Sequence, residues 1–568
     1  MNPHPDALEA GDPVWTPATT LDKLRAKGAM SVKLGARQIA LFLHDGQPHA
    51  CNNRCPHEGY PLAEGRLDGE CVLTCHWHNW RFDLRSGDNL YGGDRLRIYP
   101  VRVDADQVLV DLREPPAAQR QAQALGQLDA AMTDNDRPRI ARELARCEKT
   151  GATAEQVLLQ AIAQSHDRFR YGMTHAHAGA EAWLRLRDAE SDPARRLACL
   201  AEALGYLSFE TLREPVYPYA QASAPWDAGA FLAAVETQDE AAALARIHGA
   251  LDSGQTIEDL LPVLTQAALA HYSDFGHSVI YLHHLRRLVA RLGPESARPL
   301  LRLWLRALVF ATREDLLPDF RAYADALAQW PVGLALGDSA GANLPPSSAL
   351  EGLSVKRTLA ALQPLAGTPP TTLLPLLAQA AAHHLLRFDP AVAQRADNAV
   401  ADNVGWLAFS HALTFAQALQ ALLPANSLLW PQGLLQMGLF IGRNTPYLDP
   451  ARDAAAEQKS ELTHWFPPEA ADAAGSATAM GSGACMGLAD FERRWRDQVI
   501  DHGLGLDIFP VHWLKTSLAV EALCGLGWPH EVCASLRAAQ CRLLGVNFKQ
   551  RHALRNAHQA LAFVARED

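Results

Sequence analysis

Two short runs in this sequence carry the residue types that bind soft metals: Cys55-Pro56-His57 and, seventeen residues further on, Cys75-His76-Trp77-His78. Together they offer two thiolates and two imidazoles. Such a set suits zinc, which takes sulfur and nitrogen ligands. It also suits an asymmetric two-iron, two-sulfur cluster with two cysteines on one iron and two histidines on the other. The Cys-x2-Cys knuckle usual for zinc is absent from the sequence, which favours the cluster. Neutral imidazoles in place of anionic thiolates let such a cluster take up an electron more readily.

The segments that must position these loops read as short strands. SVKLGARQIALFLHDGQPHAC alternates apolar and polar residues in two runs, with Asp45-Gly46 as a hairpin signal between them. LRIYPVRVDADQVLVDL repeats the pattern with a turn at Asp104 to Asp106. The stretch NNRCPHEGYPLAEGRLDGECVLTCHWHNWRFDLRSGDNL, within residues 14-112, resembles a Rieske-type ferredoxin domain. The resemblance implies a small all-β module holding a [2Fe-2S] cluster through Cys55, His57, Cys75 and His78, with the histidines toward the surface as electron exits. His76 and Asn79 depart from the usual pattern, since Asn79 stands where such modules commonly carry glycine. The disulfide of respiratory-type modules has no counterpart here: Cys51 and Cys71 each precede a cysteine ligand by four residues and are expected to pack structurally. The module therefore resembles the ferredoxin and oxygenase branch.

From about residue 117 the texture changes. Alanine and leucine dominate, and the apolar period lengthens to three and four, as in QVLLQAIAQ, HAGAEAWLRLRDA and LTFAQALQALL. The expected fold class is thus multidomain: a small all-β Rieske domain at 14-112, then a large mainly α-helical part. At about 450 residues this part exceeds the size at which one core stops growing, so two subdomains are expected, 117-340 and 350-568. Two internal echoes raise the option that the second partly repeats the first. LLPVLTQAALAH aligns with LLPLLAQAAAHH, placing His271 against His384, and FSHALTFAQALQAL aligns with PVHWLKTSLAVEAL, placing His411 against His512. The segment 467-488, containing AAGSATAMGSGACMG, reads as a flexible surface loop.

A lone cluster only relays electrons, and a helical part of this size is more than a carrier needs, so a second metal centre is expected there. The densest candidate runs from His271 to His284. On a helix, Asp274, His277, Tyr281 and His284 fall within about 80° of circumference, while His283 points elsewhere. Asp274 and His277 suit one ion; His284, two turns on, faces a substrate or second ion. His175 and His177 in RYGMTHAHAG could both reach a site from an irregular turn. His384, His411 and His512 complete the set through the echoes, and Tyr281 or Tyr272 could donate a proton or hydrogen bond. Packed core histidines and tyrosines are the competing reading. The helical part does not match the catalytic half of ring-hydroxylating Rieske oxygenases, and it lacks the paired Glu-x-x-His motifs of di-iron carboxylate bundles.

Composition narrows the function further. Lys plus Arg number 52 against 63 for Asp plus Glu, a net charge of -11, which argues against a nucleic-acid binder. No stretch reaches the length of apolar residues a membrane helix needs, and the N-terminus lacks a signal-like pattern, so a cytoplasmic protein is expected. Neither a Gly-x-Gly-x-x-Gly turn after a strand nor a P-loop occurs, so electrons are expected from an external reductase or ferredoxin reductase. The functional expectation is an iron-dependent oxidoreductase, an oxygenase, in which the cluster feeds a mononuclear or dinuclear non-haem iron centre that uses dioxygen on a small organic substrate. The alternative is a non-catalytic carrier whose helical part docks a partner enzyme. Oligomeric state is left open.

Overall fold

Alternating apolar residues between positions 15 and 111 build three small antiparallel sheets. A computed structural model describes residues 14–331, 344–395, 405–466 and 484–547, and divides them into two compact units, up to Val157 and from Leu158. Most of the 467-488 segment, 467–483, lies outside the described residues.

In the first unit, β1 (Trp15–Thr20) precedes α1 (Leu21–Lys27), β2 (Ala29–Leu34), β3 (Arg37–His44) and β4 (Gln47–Asn52). The short strands β5 (Arg66–Leu67), β6 (Val72–Thr74) and β7 (Arg81–Asp83) follow, then β8 (Ile98–Tyr99), β9 (Val101–Asp104) and β10 (Gln107–Asp111). The sheets run β1-β10-β9, β2-β3-β4-β8 and β5-β6-β7. Along β3 the side chains alternate between two cores: Ile39 and Leu41 face one with Val108 and Val110, whereas Ala40 and Phe42 face the other with Cys55, Cys75, Phe82 and Leu84. The second core underlies both cysteine loops. Cys51 and Cys71 are buried in it.

Two helices, α2 (Ala117–Thr133) and α3 (Arg137–Lys149), belong to this same unit. Asp94, fully buried after β7, accepts from Arg142 Nε at 3.0 Å and Arg146 Nη1 at 2.7 Å, which ties α3 to the β module. These charge-assisted bonds hold the Asp94 carboxyl below its usual range, although burial alone would raise it.

The second unit is helical. The elements that matter for the site are α4 (His175–Ala189), α5 (His277–Leu292), α6 (Pro370–Arg387), α7 (Trp406–Leu422) and α8 (Ile508–Cys524). Helices on either side of residues 340-350 interlock: α4 packs on α5 and α8, and α7 packs on α5, α6 and α8. Alanines at 412, 416 and 418 of α7 are fully buried, and small side chains of this kind let helix axes approach closely. No helix among the described residues is long and apolar enough to cross a membrane.

Candidate metal centres

The two cysteine loops of the β module are built alike. Cys55 N–H donates to Tyr60 O at 2.9 Å and Cys75 N–H to Trp80 O at 2.8 Å; Gly59 N–H closes on Cys55 O at 2.8 Å and Asn79 N–H on Cys75 O at 3.0 Å. Each turn needs a left-handed residue at its fifth position, supplied by Gly59 (φ 79°) and by Asn79 (φ 60°). Asparagine is among the few side chains that adopt this region readily, so the departure at Asn79 keeps the turn.

The loops bring their donors to one place. Cys55 and Cys75 are buried side by side, and burial together with the neighbouring Cys75 thiol pushes Cys55 up to about 11. The Nδ1 atoms of His57 and His78 face each other at 3.1 Å. His57 stacks on Trp80 with ring centroids 4.4 Å apart, and His78 stacks on the half-exposed Trp77 at 4.8 Å. Two adjacent sulfurs beneath two facing imidazole nitrogens, with the imidazoles outward, fit the donor set of an asymmetric [2Fe-2S] cluster.

The helical unit brings together four histidines from four helices. Ring centroids of His175 and His277 lie 4.6 Å apart, His175 and His512 4.6 Å, His277 and His411 4.7 Å, and His411 and His512 4.7 Å. Nitrogens of His175, His411 and His512 all fall within 4.8 Å of one another. The hydrogen bonds on the outer edges of these rings set their tautomers. His277 Nδ1 meets Asp274 Oδ2 at 3.2 Å, and His411 Nδ1 meets Leu407 O at 2.6 Å. His512 Nδ1 meets Ser410 Oγ at 2.9 Å, and the Ser410 hydroxyl itself donates to Leu407 O.

The carbonyl and hydroxyl acceptors place the protons of His411 and His512 on Nδ1 and leave a lone pair on each Nε2. His277 Nε2 lies 2.8 Å from His411 Nε2. His512 Nε2 is buried with no hydrogen-bond partner among the described residues. Burial, Lys515 and the neighbouring imidazoles hold His175, His411 and His512 well below their ordinary range, so they are neutral ligand-type rings. Converging neutral imidazoles with anchored outer nitrogens are the chemistry of a metal site, and these residues fit a first-row transition ion.

One turn shapes the access side. Asp274, Phe275 and Gly276 have φ of 43°, 55° and 74°, three consecutive left-handed residues immediately before α5. Phe275 N–H donates to Glu314 Oε2 at 3.0 Å, and the Arg443 guanidinium lies 3.6 Å over the Phe275 ring, which sits 5.6 Å from His411. Tyr281 stacks parallel to His277 at 4.9 Å. Asp274, Phe275 and His277 are partly exposed, whereas Tyr281 and His411 are buried behind them.

Other expected ligands stand elsewhere. The helix expected through Asp274 begins only at His277, so Asp274 reaches that ring from the turn, and His284 lies deeper along α5. There His284 Nδ1 meets Glu181 Oε2 at 2.8 Å, and Arg287 Nε donates to Glu181 Oε1 at 2.6 Å. His177 is spent on the N-terminus of α4: Ala176 N–H donates to Thr174 Oγ1, and Thr174 N–H donates to His177 Nδ1 at 3.3 Å. That cap leaves His175, the first residue of α4, as the ring that joins the cluster. His384 is fully buried on α6 without a hydrogen-bond partner among the described residues, and burial lowers it to about 4. Tyr272 packs between Phe320 and Phe440.

Sequence reasoning passed over Lys515. Its Nζ lies 3.0 Å from His175 Nδ1, and burial lowers it to about 7. The one available signal was its position, three residues after His512 on the same helical face.

Comparison with known proteins bears on the first unit alone. The chain is 30% identical over 118 residues to the ferredoxin component of the alkene monooxygenase system of Xanthobacter autotrophicus, covering 20% of this chain and 96% of that protein. It is 33% identical over 100 residues to the biphenyl dioxygenase ferredoxin subunit of a Pseudomonas species, covering 17% of this chain and 91% of the relative. Among solved structures, the ferredoxin of carbazole 1,9a-dioxygenase from Nocardioides aromaticivorans IC177 aligns with 24% identity and a TM-score of 0.17, over 17% of this chain and 98% of that one. No family match covers the helical remainder. Residues 14–94 match the model of the Rieske [2Fe-2S] domain, and through them this chain belongs to the Rieske family.

Proposed function

We propose that this chain is an iron-dependent oxidoreductase of the oxygenase type, with its electron donor and its metal site on one polypeptide. Cys55, His57, Cys75 and His78 hold the [2Fe-2S] cluster, and His175, His277, His411 and His512 hold non-haem iron. The observation that carries the reading is the confrontation of His277 Nε2 and His411 Nε2 at 2.8 Å, with the outer nitrogen of each ring anchored. At that distance a proton or a metal ion bridges the two nitrogens, and a metal ion would also take up the buried, unpartnered Nε2 of His512.

When bound, the cluster supplies one-electron transfer and the iron supplies activation of dioxygen. The protein does the rest. Asp274, Leu407 O and Ser410 orient three of the imidazoles. Lys515, which has no carboxylate partner among the described residues, places an N–H donor beside His175 that favours anionic species. Phe275 and Tyr281 supply aromatic walls for a small organic substrate, and the burial of Tyr281, His411 and His512 limits water. The ferredoxin relatives belong to monooxygenase and dioxygenase systems, which supports a soluble reductase as the source of electrons.

The test is an iron count paired with electron flow. Purified protein is expected to hold more than two irons per chain, with the His411→Ala/His512→Ala double variant falling to two and keeping the cluster's visible spectrum. Dioxygen consumption by the reduced parent is expected to exceed that of the double variant. Two irons per chain in the parent, with equal dioxygen consumption, would instead support an electron carrier whose helical unit docks a partner enzyme.

A further inference from the structure

The β module holds a second cluster of ligand-type side chains, away from the two cysteine loops. The hairpin at Asp45-Gly46 joins β3 to β4, and pairing of Phe42 with His49 and of His44 with Gln47 puts His44 and His49 on one sheet face. Cys71 comes to the same place from the turn before β6. That turn is closed by Asp68, whose carboxylate accepts from Glu70 N–H at 3.0 Å and Val72 N–H at 2.9 Å, and Cys71 occupies it with a left-handed φ of 63°.

Donor atoms of His44, His49 and Cys71 all lie within 4.8 Å of one another, and Cys71 Sγ is 3.7 Å from His49 Nε2. A tetrahedral zinc ion, with Zn–S near 2.3 Å and Zn–N near 2.0–2.1 Å, spans a sulfur-to-nitrogen edge of about 3.5 Å. His44 Nε2 lies 3.0 Å from Gly69 O, a hydrogen bond that fixes the orientation of its ring. The exposed Asp45 carboxylate lies 3.6 Å from His44 Nδ1. Arg85, the nearby cation, is neutralised by both oxygens of Asp83, at 3.0 and 2.9 Å. A thiol–imidazole hydrogen bond accounts for one of these contacts; it does not account for His44 converging with them as a third donor.

We propose that His44, His49 and Cys71 form a binding site for a borderline-soft divalent cation of the zinc type, stapling the β3–β4 hairpin to the turn that leads into the Cys75 loop. The proposal is independent of the helical centre. Zinc is titrated into the full chain carrying its cluster, and bound zinc is counted by native mass spectrometry, with the cluster's visible absorbance followed in parallel. The expected result is one zinc fewer per chain in His49→Gln and in Cys71→Ala than in the parent, with the absorbance intact; zinc taken up at the helical histidines cancels in that difference. His49→Gln, at a half-buried strand position, tests the site if Cys71→Ala fails to fold. An equal zinc count in the parent and His49→Gln overturns the proposal, as does zinc that enters only as the cluster absorbance disappears.

Discussion

His277 and His411 lie 134 residues apart in sequence, and their Nε2 atoms meet at 2.8 Å. Asp274 takes the Nδ1 proton of one and Leu407 O that of the other. A shared proton or a bound cation accommodates this contact, and metal analysis separates the two.

His175 and His177 separate a ligand from a cap. The His175→Gln variant is expected to lose metal from the helical unit, whereas His177→Gln retains it, because glutamine at the third helical position still completes a capping box. Metal analysis of the two variants beside their cluster absorbance checks this. Equal retention by both would remove His175 from the site.

Gly276 is the point at which the left-handed turn enters α5. A Cβ there would lie 2.7 Å from Phe415 Cδ2, on a backbone with φ +74°. Gly276→Ala is expected to cost about 1–3 kcal/mol in denaturant unfolding of the helical unit. Metal retention at the histidines should fall with it, while the cluster absorbance of the β module stays unchanged.

Asn79 tolerates what other side chains would not. Asn79→Gly is expected to leave the Cys75 loop within a few tenths of a kcal/mol of the parent, and Asn79→Val to destabilise it by about 1–2 kcal/mol, since a β-branched residue resists the left-handed region. Loss of cluster absorbance against denaturant concentration reads the difference.

Glu181 makes part of the stability dependent on acidity. Burial alone would raise its carboxyl, but the hydrogen bond to His284 and the charge of Arg287 hold it down to about 2, from an ordinary 4.5. The folded chain therefore binds this proton less readily than the unfolded chain. The stabilisation is complete above pH 4.5 and drains away as pH falls toward 2. Urea unfolding across that window should show a shallower acid slope in Glu181→Gln. Glu181→Ala is expected to cost about 1–3 kcal/mol at neutral pH, because it leaves the buried His284 Nδ1 without its acceptor.

The β module was legible because its chemistry is local. Two cysteine–histidine runs, the glycine of one turn and the asparagine of the other lie within 26 consecutive positions, 55 to 80. In the helical unit, Asp274-x-x-His277 was readable for the same reason, and His411 and His512 were found near the starts of their helices. What periodicity could not show was which histidine of Thr174-His-Ala-His closes a cap, a matter of one residue's difference in where α4 begins. Nor could it show that His284 turns to Glu181 on another helix. His384 illustrates the limit: an imidazole in an alanine-rich helix looks the same whether it binds a metal or fills a core. The boundary expected near 340-350 rested on chain length, the break at 341-349 and an internal echo, none of which reports that α4 and α5 share neighbours with α7 and α8.

The helical centre draws its rings from residue 175 at one extreme and residue 512 at the other, so its order of construction is constrained. During synthesis the cysteine–histidine loops emerge within the first hundred residues and can take their shape early. The four-imidazole centre has no complete form until α8 has left the ribosome and docked, more than three hundred residues after the first of its rings. The loops of the β module are thus complete long before the four histidines of the helical unit can meet.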